Sequence, residues 1–287
     1  MKTPILVTGA TGTIGRDVVK LLAEKGASVR AGVRDPVQAR GQFDKEVEIA
    51  AFDFEDAASF DRALEGAGAV FLLPPIMPNQ VEVSNSFVDA AVSAEVRRIV
   101  KLSVIDADIE PPYTFGQWHS GAERHIRASG LAFTFLRPNS FMQNFMTYFP
   151  PRGGVIALPW GAGKASFVDT RDIAAVAVDA LTRDDHEGRT YTLTGPAALS
   201  IEDVVRALSD AAGTKITYLD APESAARAGM LQAGLPPWQV HALMELNAIN
   251  KQSRWEAVTR DVEKVIGKPP TDFAQFARDH AAKFRTT

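Results

Sequence analysis

Cysteine is absent from all 287 residues. Disulfides, thiolate zinc sites, cysteine-ligated iron–sulfur clusters and a cysteine nucleophile are therefore excluded. The chain also lacks a surplus of one charge: 31 basic side chains face 35 acidic ones, a net of −4, with no basic block. That balance gives no support for a positive face, and no nucleic-acid partner is expected. Long apolar runs are missing. Met1-Lys2-Thr3-Pro4 leads into Ile5-Leu6-Val7, a run too short for a signal-peptide core. The uncharged stretch from Gly66 to Asn79 is broken by Gly68, Pro74, Pro75 and Pro78. It falls short of the roughly 18–20 residues of a membrane helix. No membrane partner is expected, and the cytoplasm is the expected location.

What is present is an alternation. Short β-rich runs at Ile5–Val7, Ser28–Val33, Val47–Phe52, Ala69–Leu73, Arg98–Ser103 and Ala132–Leu136 are separated by helical patterns. The first helix, Ile14–Lys25, carries Ile14, Val18, Leu21 and Leu22 on one face; others follow at Ala57–Leu64, Val81–Ala94 and Phe115–Ser129. Such spacing implies βαβ units with right-handed crossovers. The pattern changes after Arg137-Pro138. A Gly- and Pro-rich stretch over 149–167 precedes a helix at Thr170–Leu181, capped by Asp169 or Thr170, and a strand at Tyr191–Leu193. Ser200 and Asp203 open a further helix. From Ala221 onward the chain reads as helical, with breaks at 234–237 and 267–270. The expected fold is α/β, a Rossmann-type doubly wound parallel sheet with a smaller, mostly helical carboxy-terminal lobe. Its expected parts are a dinucleotide-binding domain over 1–150, further strands and a helix of that domain over 151–195, and a substrate-cleft lobe over 196–287.

Gly9, Gly12 and Gly15, in the run Gly9-Ala10-Thr11-Gly12-Thr13-Ile14-Gly15, stand at the first strand–helix junction. One glycine permits the tight turn, one lets the backbone approach a pyrophosphate, and one lets helix and strand pack closely. The helix terminus then offers unpaired N–H groups and partial positive charge. Thr11, Thr13 and Ile14 complete the candidate cradle. The second strand ends in Val33-Arg34-Asp35-Pro36. An arginine there binds a 2′-phosphate, whereas an acid holds the ribose hydroxyls. Arg34 comes first, which favours NADP(H); Asp35 follows and keeps NAD(H) open, as does a merely solvated Arg34. Asp53 and Phe54 suit the adenine edge, with a helix cap as the plainer role of Asp53. Leu73, Pro74 and Pro75 line the cofactor cleft or stiffen a loop. Pro138 and Asn139 follow the sixth strand, where backbone meets a nicotinamide amide.

These motifs carry a resemblance. The glycine loop, the Val33–Pro36 turn, Leu136-Arg137-Pro138-Asn139-Ser140-Phe141-Met142-Gln143-Asn144 and Phe167-Val168-Asp169-Thr170-Arg171-Asp172-Ile173-Ala174 resemble the NmrA-like, atypical short-chain dehydrogenase/reductase family. The likeness is strongest to the branch of triphenylmethane reductase and NADPH-dependent quinone reductases, and over residues 3–182. It implies a Rossmann domain that binds NADP(H) and a small lobe that shapes a substrate cleft. The family holds both reductases and cofactor-sensing regulators that catalyse nothing and act through a protein partner.

Typical short-chain dehydrogenases use a Tyr with a Lys one helical turn later. Here Tyr113, Tyr148, Tyr191 and Tyr218 are followed four places on by Gln117, Arg152, Gly195 and Pro222, so that pair is absent. No lysine lies between Lys101 and Lys164, which disfavours an isoflavone-reductase-like relative. His119 and Glu123 share one helix face. A carboxylate beside the ring would raise its pKa and fix its tautomer, making His119 a proton donor; an ordinary helix pair is the plainer reading. The resembling family shows this His-x-x-x-Glu pair where the Tyr and Lys would stand. Ser103, ending the fifth strand, offers a hydroxyl to substrate or caps a turn. His125 lies about 120° around the helix from His119, so no metal site is expected. Met77, Phe115, Trp118, Phe141, Met142, Asn144, Phe145 and Trp160 are candidate pocket walls for a small quinone-like or conjugated aromatic substrate, or core residues. Two readings follow: an NAD(P)H-dependent reductase by direct hydride transfer, or a non-catalytic NADP(H)-sensing regulatory protein.

Overall fold

In the computed structural model the described residues are 3–285; Met1 and Lys2, at the head of the terminal run, and Thr286 and Thr287 lie outside them. The chain divides into two compact units whose segments interleave along the sequence, whereas a single boundary after residue 195 is expected from the sequence. One unit takes the chain up to Glu110, Gly116–Arg137 and Ile173–Tyr191; the other takes Pro111–Phe115, Pro138–Asp172 and the chain from Thr192 on.

The first unit is built from β1 (Ile5–Val7), α1 (Thr13–Glu24), β2 (Val29–Val33), α2 (Pro36–Ala39), β3 (Glu48–Ala51), α3 (Ala58–Leu64), β4 (Ala69–Leu72), α4 (Gln80–Ser93), β5 (Arg98–Leu102), α5 (Thr114–Ala128) and β6 (Ala132–Pro138). Strands β1 to β6 pair in parallel, with Ile5 opposite both Val29 and Ala69, and Lys101 opposite both Leu72 and Phe135. Helices cover both faces of such a sheet, so its strands read as apolar runs rather than alternations. The β1 and β4 residues are all buried. Leu6, Val70, Leu72, Ile99 and Phe135 meet Phe60, Phe87, Val88 and Ile126 in one cluster. The sheet order is β3-β2-β1-β4-β5-β6 with β9 (below) beyond β6. Strand order therefore reverses between β1 and β4, the place where a crevice opens at the carboxyl ends of the strands.

The remaining elements are α6 (Asn144–Thr147), β7 (Val155–Leu158), β8 (Lys164–Ala165), α7 (Thr170–Thr182), β9 (Arg189–Leu193), β10 (Leu199–Ser200), α8 (Ile201–Ala212), β11 (Thr217–Asp220), α9 (Glu223–Gln232), α10 (Pro237–Lys251), α11 (Asp261–Ile266), α12 (Phe273–Asp279) and α13 (Ala281–Phe284). In the second unit β7 pairs with β11 and β8 with β10. Helix α8 starts on a capping box: Ser200 Oγ accepts from the Asp203 N–H, and the Asp203 carboxylate accepts from the Ser200 N–H. Asp169 caps α7 by accepting from the Arg171 N–H. The unit's core joins Met142, Phe145, Trp160 and Phe167 to Val204, Leu208, Phe273 and Phe276. Among the described residues no helix is long and apolar enough to cross a membrane.

Candidate active site

The glycine turn after β1 has the geometry a diphosphate requires. Gly9 has φ +62°, and its carbonyl accepts from the Gly12 N–H at 2.9 Å. A Cβ on Gly15 would stand 2.1 Å from Gly9 O, a distance no side chain tolerates. Gly15 thus lets α1 approach the turn. Gly12 is the N-cap of α1; no side chain caps the helix, and no acidic residue occupies its first turn. The first N–H groups of this 12-residue helix are left for a ligand, together with the helix's partial positive charge. Thr11, Gly12 and Thr13 are exposed, while Ile14 anchors the helix in the core. Thr8 ties this turn to the segment after β4. Its Oγ1 donates to Phe71 O (3.1 Å) and accepts from Leu73 N–H (2.8 Å), and Leu73 packs on Gly9. Pro74 is buried and Pro75 partly so, at the same edge.

At the end of β2 the two candidate side chains separate by role. Asp35 caps α2, accepting from the Val37 and Gln38 N–H groups at 2.9 and 3.0 Å. Arg34 is exposed and has no side-chain partner among the described residues. Asp53 closes a local turn on the Glu55 N–H (3.0 Å), and Phe54 packs edge-on against Phe52. The cradle therefore fits a dinucleotide, with a free cation rather than a free acid at the position that reads the 2′ substituent.

Two strands along the sheet, a second cluster forms at the carboxyl end of β5. Lys101 is wholly buried. Its Nζ donates to Leu102 O (3.1 Å) and to His119 Nδ1 on α5 (2.8 Å). Burial pushes the Lys101 ammonium down to about 7, with Glu123 opposing and Arg137 adding to the shift. Burial, and then the Lys101 charge, hold the His119 imidazole well below the ordinary histidine value. Glu123 is also buried, and its carboxylate bonds to other partners. It accepts from Ser103 Oγ (2.5 Å) and from Arg137 Nε (3.0 Å) and Nη2 (2.6 Å). Arg137 also clamps Asp108 at 2.8 and 3.1 Å and draws that carboxyl below its ordinary value. Burial works against the Arg137 charge, yet the bonds to Glu123 and Asp108 hold the guanidinium above its usual value.

This arrangement corrects three expectations. His119 and Glu123 do not pair, because Arg137 and Ser103 take both carboxylate oxygens; the ring is shifted down, not up. Ser103 spends its proton on Glu123 and has none to give a substrate. Asn139, whose backbone is expected to meet a nicotinamide amide, is held within the second unit by its side chain and its own N–H. Its amide donates to Ser166 Oγ and Trp255 O, each at 2.8 Å, its Oδ1 accepts from Ser140 N–H, and its own N–H reaches Leu193 O. Pro138 beside it is buried.

The candidate walls divide. Met142, Phe145 and Trp160 lie in the second unit's core, all under 3 % exposed, and Trp160 Nε1 donates to Asn247 Oδ1 at 2.8 Å. These three are core packing, not free walls: an aromatic or Met side chain satisfies the composition of either. Phe115, Phe141 and Asn144 of the second unit and Met77 and Trp118 of the first are partly exposed. Lys101 escaped the sequence reading. Its signal was a single charge inside the apolar run Ile99-Val100-Lys101-Leu102, on a strand buried on both faces.

A strand order of 3-2-1-4-5-6, a glycine turn and an open helix terminus define a Rossmann-type dinucleotide-binding protein. The NmrA-like family profile matches residues 1–276, and the chain belongs to that family. It is 39% identical over 282 residues to an NAD(P)H azoreductase of Xenophilus azovorans, covering 98% of this chain and 99% of the relative. The crystal structure of the NADPH-dependent quinone oxidoreductase of Escherichia coli complexed with NADPH superposes with a TM-score of 0.86 at 25% identity, covering 96% of this chain and 99% of the other. Triphenylmethane reductase of Citrobacter sp. shares the fold with a TM-score of 0.86 at 24% identity, covering 98% and 99% of the two chains.

Proposed function

We propose that this chain is an NAD(P)H-dependent oxidoreductase that prefers NADPH and reduces quinone-like or conjugated aromatic acceptors. The observation that carries the cofactor reading is the uncapped α1 terminus over the Gly9–Gly15 turn, with Arg34 unpartnered among the described residues beside an Asp35 already engaged. The azoreductase and quinone oxidoreductase relatives support the acceptor class. The N–H groups at the head of α1 would hold the diphosphate, Arg34 the 2′-phosphate, and Leu73 and Pro74 the side of the cleft. The bound cofactor supplies a hydride. His119 stands at the carboxyl end of the sheet, its Nε2 without a protein hydrogen bond among the described residues, and serves as the polar group toward the acceptor. The partly exposed Met77 and Trp118 give flat aromatic molecules an apolar surface.

The test is calorimetric titration with NADPH and NADH. It is followed by the loss of reduced-nicotinamide absorbance with a panel of quinones, azo dyes and triarylmethane dyes. Tighter binding of NADPH and turnover of at least one acceptor class are expected. No binding of either dinucleotide overturns the reading; binding without turnover of any acceptor replaces it with a cofactor-sensing regulator.

A further inference from the structure

We infer that Lys101, acting through His119, is the proton source for acceptors that need a proton as well as two electrons. The inference rests on the reductase reading above and deepens it. Its starting point is a cost. An ammonium buried near the carboxyl end of a central strand is desolvated, and such groups are found paired with carboxylates. Lys101 is not. Among the described residues its Nζ meets only Leu102 O and His119 Nδ1. The nearest carboxylate, Glu123, is turned to Ser103 and Arg137. The charged groups around the pair come from α5, β6 and the segment after β5: Glu123 and Arg127 on α5, Arg137 on β6, and Asp108 beyond β5, while the β4 residues beside Lys101 are all apolar. Arg137 binds both Glu123 and Asp108, and Arg127 lies 4.0 Å from Glu123. The carboxylates are neutralised there, and the lysine is left to the imidazole.

The bond fixes a tautomer. An ammonium only donates, so Nδ1 accepts and the proton of the neutral ring sits on Nε2. No protein group among the described residues binds Nε2, and the ring is half-buried, whereas Lys101 is enclosed. The pair therefore runs from the interior of β5 outward along the carboxyl edge of the sheet. Strand β5 is two places from β1, roughly 10 Å at ordinary strand spacing. The relay and the glycine turn thus share one edge.

Two electrons and one hydrogen reach the acceptor as hydride from reduced nicotinamide. The Nε2–H bond of His119 breaks and an O–H or N–H bond forms on the acceptor. The Nζ–H bond of Lys101 breaks and an Nδ1–H bond forms, leaving a neutral lysine and the other neutral ring tautomer. A solvent proton taken up at Nε2, with return of the Nδ1 proton to Lys101, restores the pair. A quinone or an azo bond needs this proton. A cationic triarylmethane dye does not, because hydride alone converts the cation to its neutral product.

That difference supplies the experiment. Lys101→Gln keeps a donor for Nδ1 but has no proton to release. Relative to the unaltered protein, it is expected to lower quinone and azo-dye kcat about tenfold or more, with KM little changed and the alkaline limb of the pH–rate profile lost. Cationic-dye turnover should stay within about twofold. A parallel loss for all acceptors, or no loss for any, overturns the inference. An arm independent of turnover follows the histidine ring nitrogens by 15N–1H correlation, with His119→Gln to assign the signals. The expected result is an Nε2–H tautomer in the unaltered protein and, in Lys101→Met, titration of His119 shifted upward toward the ordinary histidine range. Identical tautomer and titration in the two proteins overturn the inference. Should the unaltered protein reduce no acceptor at all, the reductase reading falls and the inference resting on it falls too, while the ring-nitrogen arm still reports whether the pair exists.

Discussion

Arg34 and Asp35 are neighbours in sequence with opposite tasks. Asp35 is spent on the α2 terminus, so the cation is the group left to meet a ligand. Arg34→Ala should weaken NADPH binding about tenfold to a hundredfold by calorimetry and leave NADH nearly unchanged, the loss of a charge-assisted pair. Equal losses would show that Arg34 does not read the 2′-phosphate. His119→Ala should lower quinone turnover about a hundredfold with dinucleotide affinity retained; unchanged kinetics would return the residue to a helix-ordering role. Lys101 makes a prediction about stability as well. Its folded value of about 7 lies below the 10.5 of the free side chain, so the unfolded chain binds the proton more readily. Its penalty is fully present below pH 7 and fades as pH rises toward 10.5. Lys101→Met should therefore be more stable than the unaltered protein by about 1–4 kcal/mol at pH 6, and the gap should narrow at pH 9, in denaturant titrations. A Met variant less stable at pH 6 would contradict this.

At the scale of elements, the glycine loop was legible because everything it needs is local: strand end, turn and helix head lie within 15 residues. Its glycines should separate experimentally. Gly12 has ordinary backbone angles and an exposed position, so Gly12→Val should fold, by circular dichroism, and lose dinucleotide binding. Gly15→Ala drives a methyl into the Gly9 carbonyl and should cost about 1–3 kcal/mol of stability before any question of binding arises. The second cluster was legible only in part. His119 and Glu123 stood out by their one-turn spacing, but that spacing fixes a shared helix face and not a bond. What decides the partners is β5 and β6 packed beneath α5, which bring Lys101 and Arg137 from 18 residues before His119 and 14 after Glu123. No periodicity within a helix reports such crossings. The same holds for Met142, Phe145 and Trp160. Aromatic composition marks them as apolar, and only the meeting of α6, β7, α8 and α12 residues marks them as core.

For the molecule as a whole, strand and helix positions followed the hydrophobic periodicity, while the allocation of segments to units did not. Residues 138–172 read as a continuation of the sheet domain because they follow β6 directly. Their apolar side chains are instead buried by α8 and α12, about 35 to 135 positions later. A chain ended after Gly195 would keep all seven strands of the large sheet except their later support, and would expose Met142, Phe145, Trp160 and Phe167. It should aggregate or bind a hydrophobic dye strongly, whereas the full chain should not. A soluble, monodisperse truncated chain would show that the second unit does not depend on its carboxy-terminal helices.

The buried ammonium of β5 also bears on how this protein would respond to selection in the laboratory. A library screened for heat resistance alone, at mildly acidic pH, rewards any apolar replacement at that position, since it removes the desolvation cost of the buried charge. On the proposed relay, survivors of such a screen would be hardier proteins that still reduce cationic dyes but turn over quinones slowly, and a screen that counted only the dye would never notice.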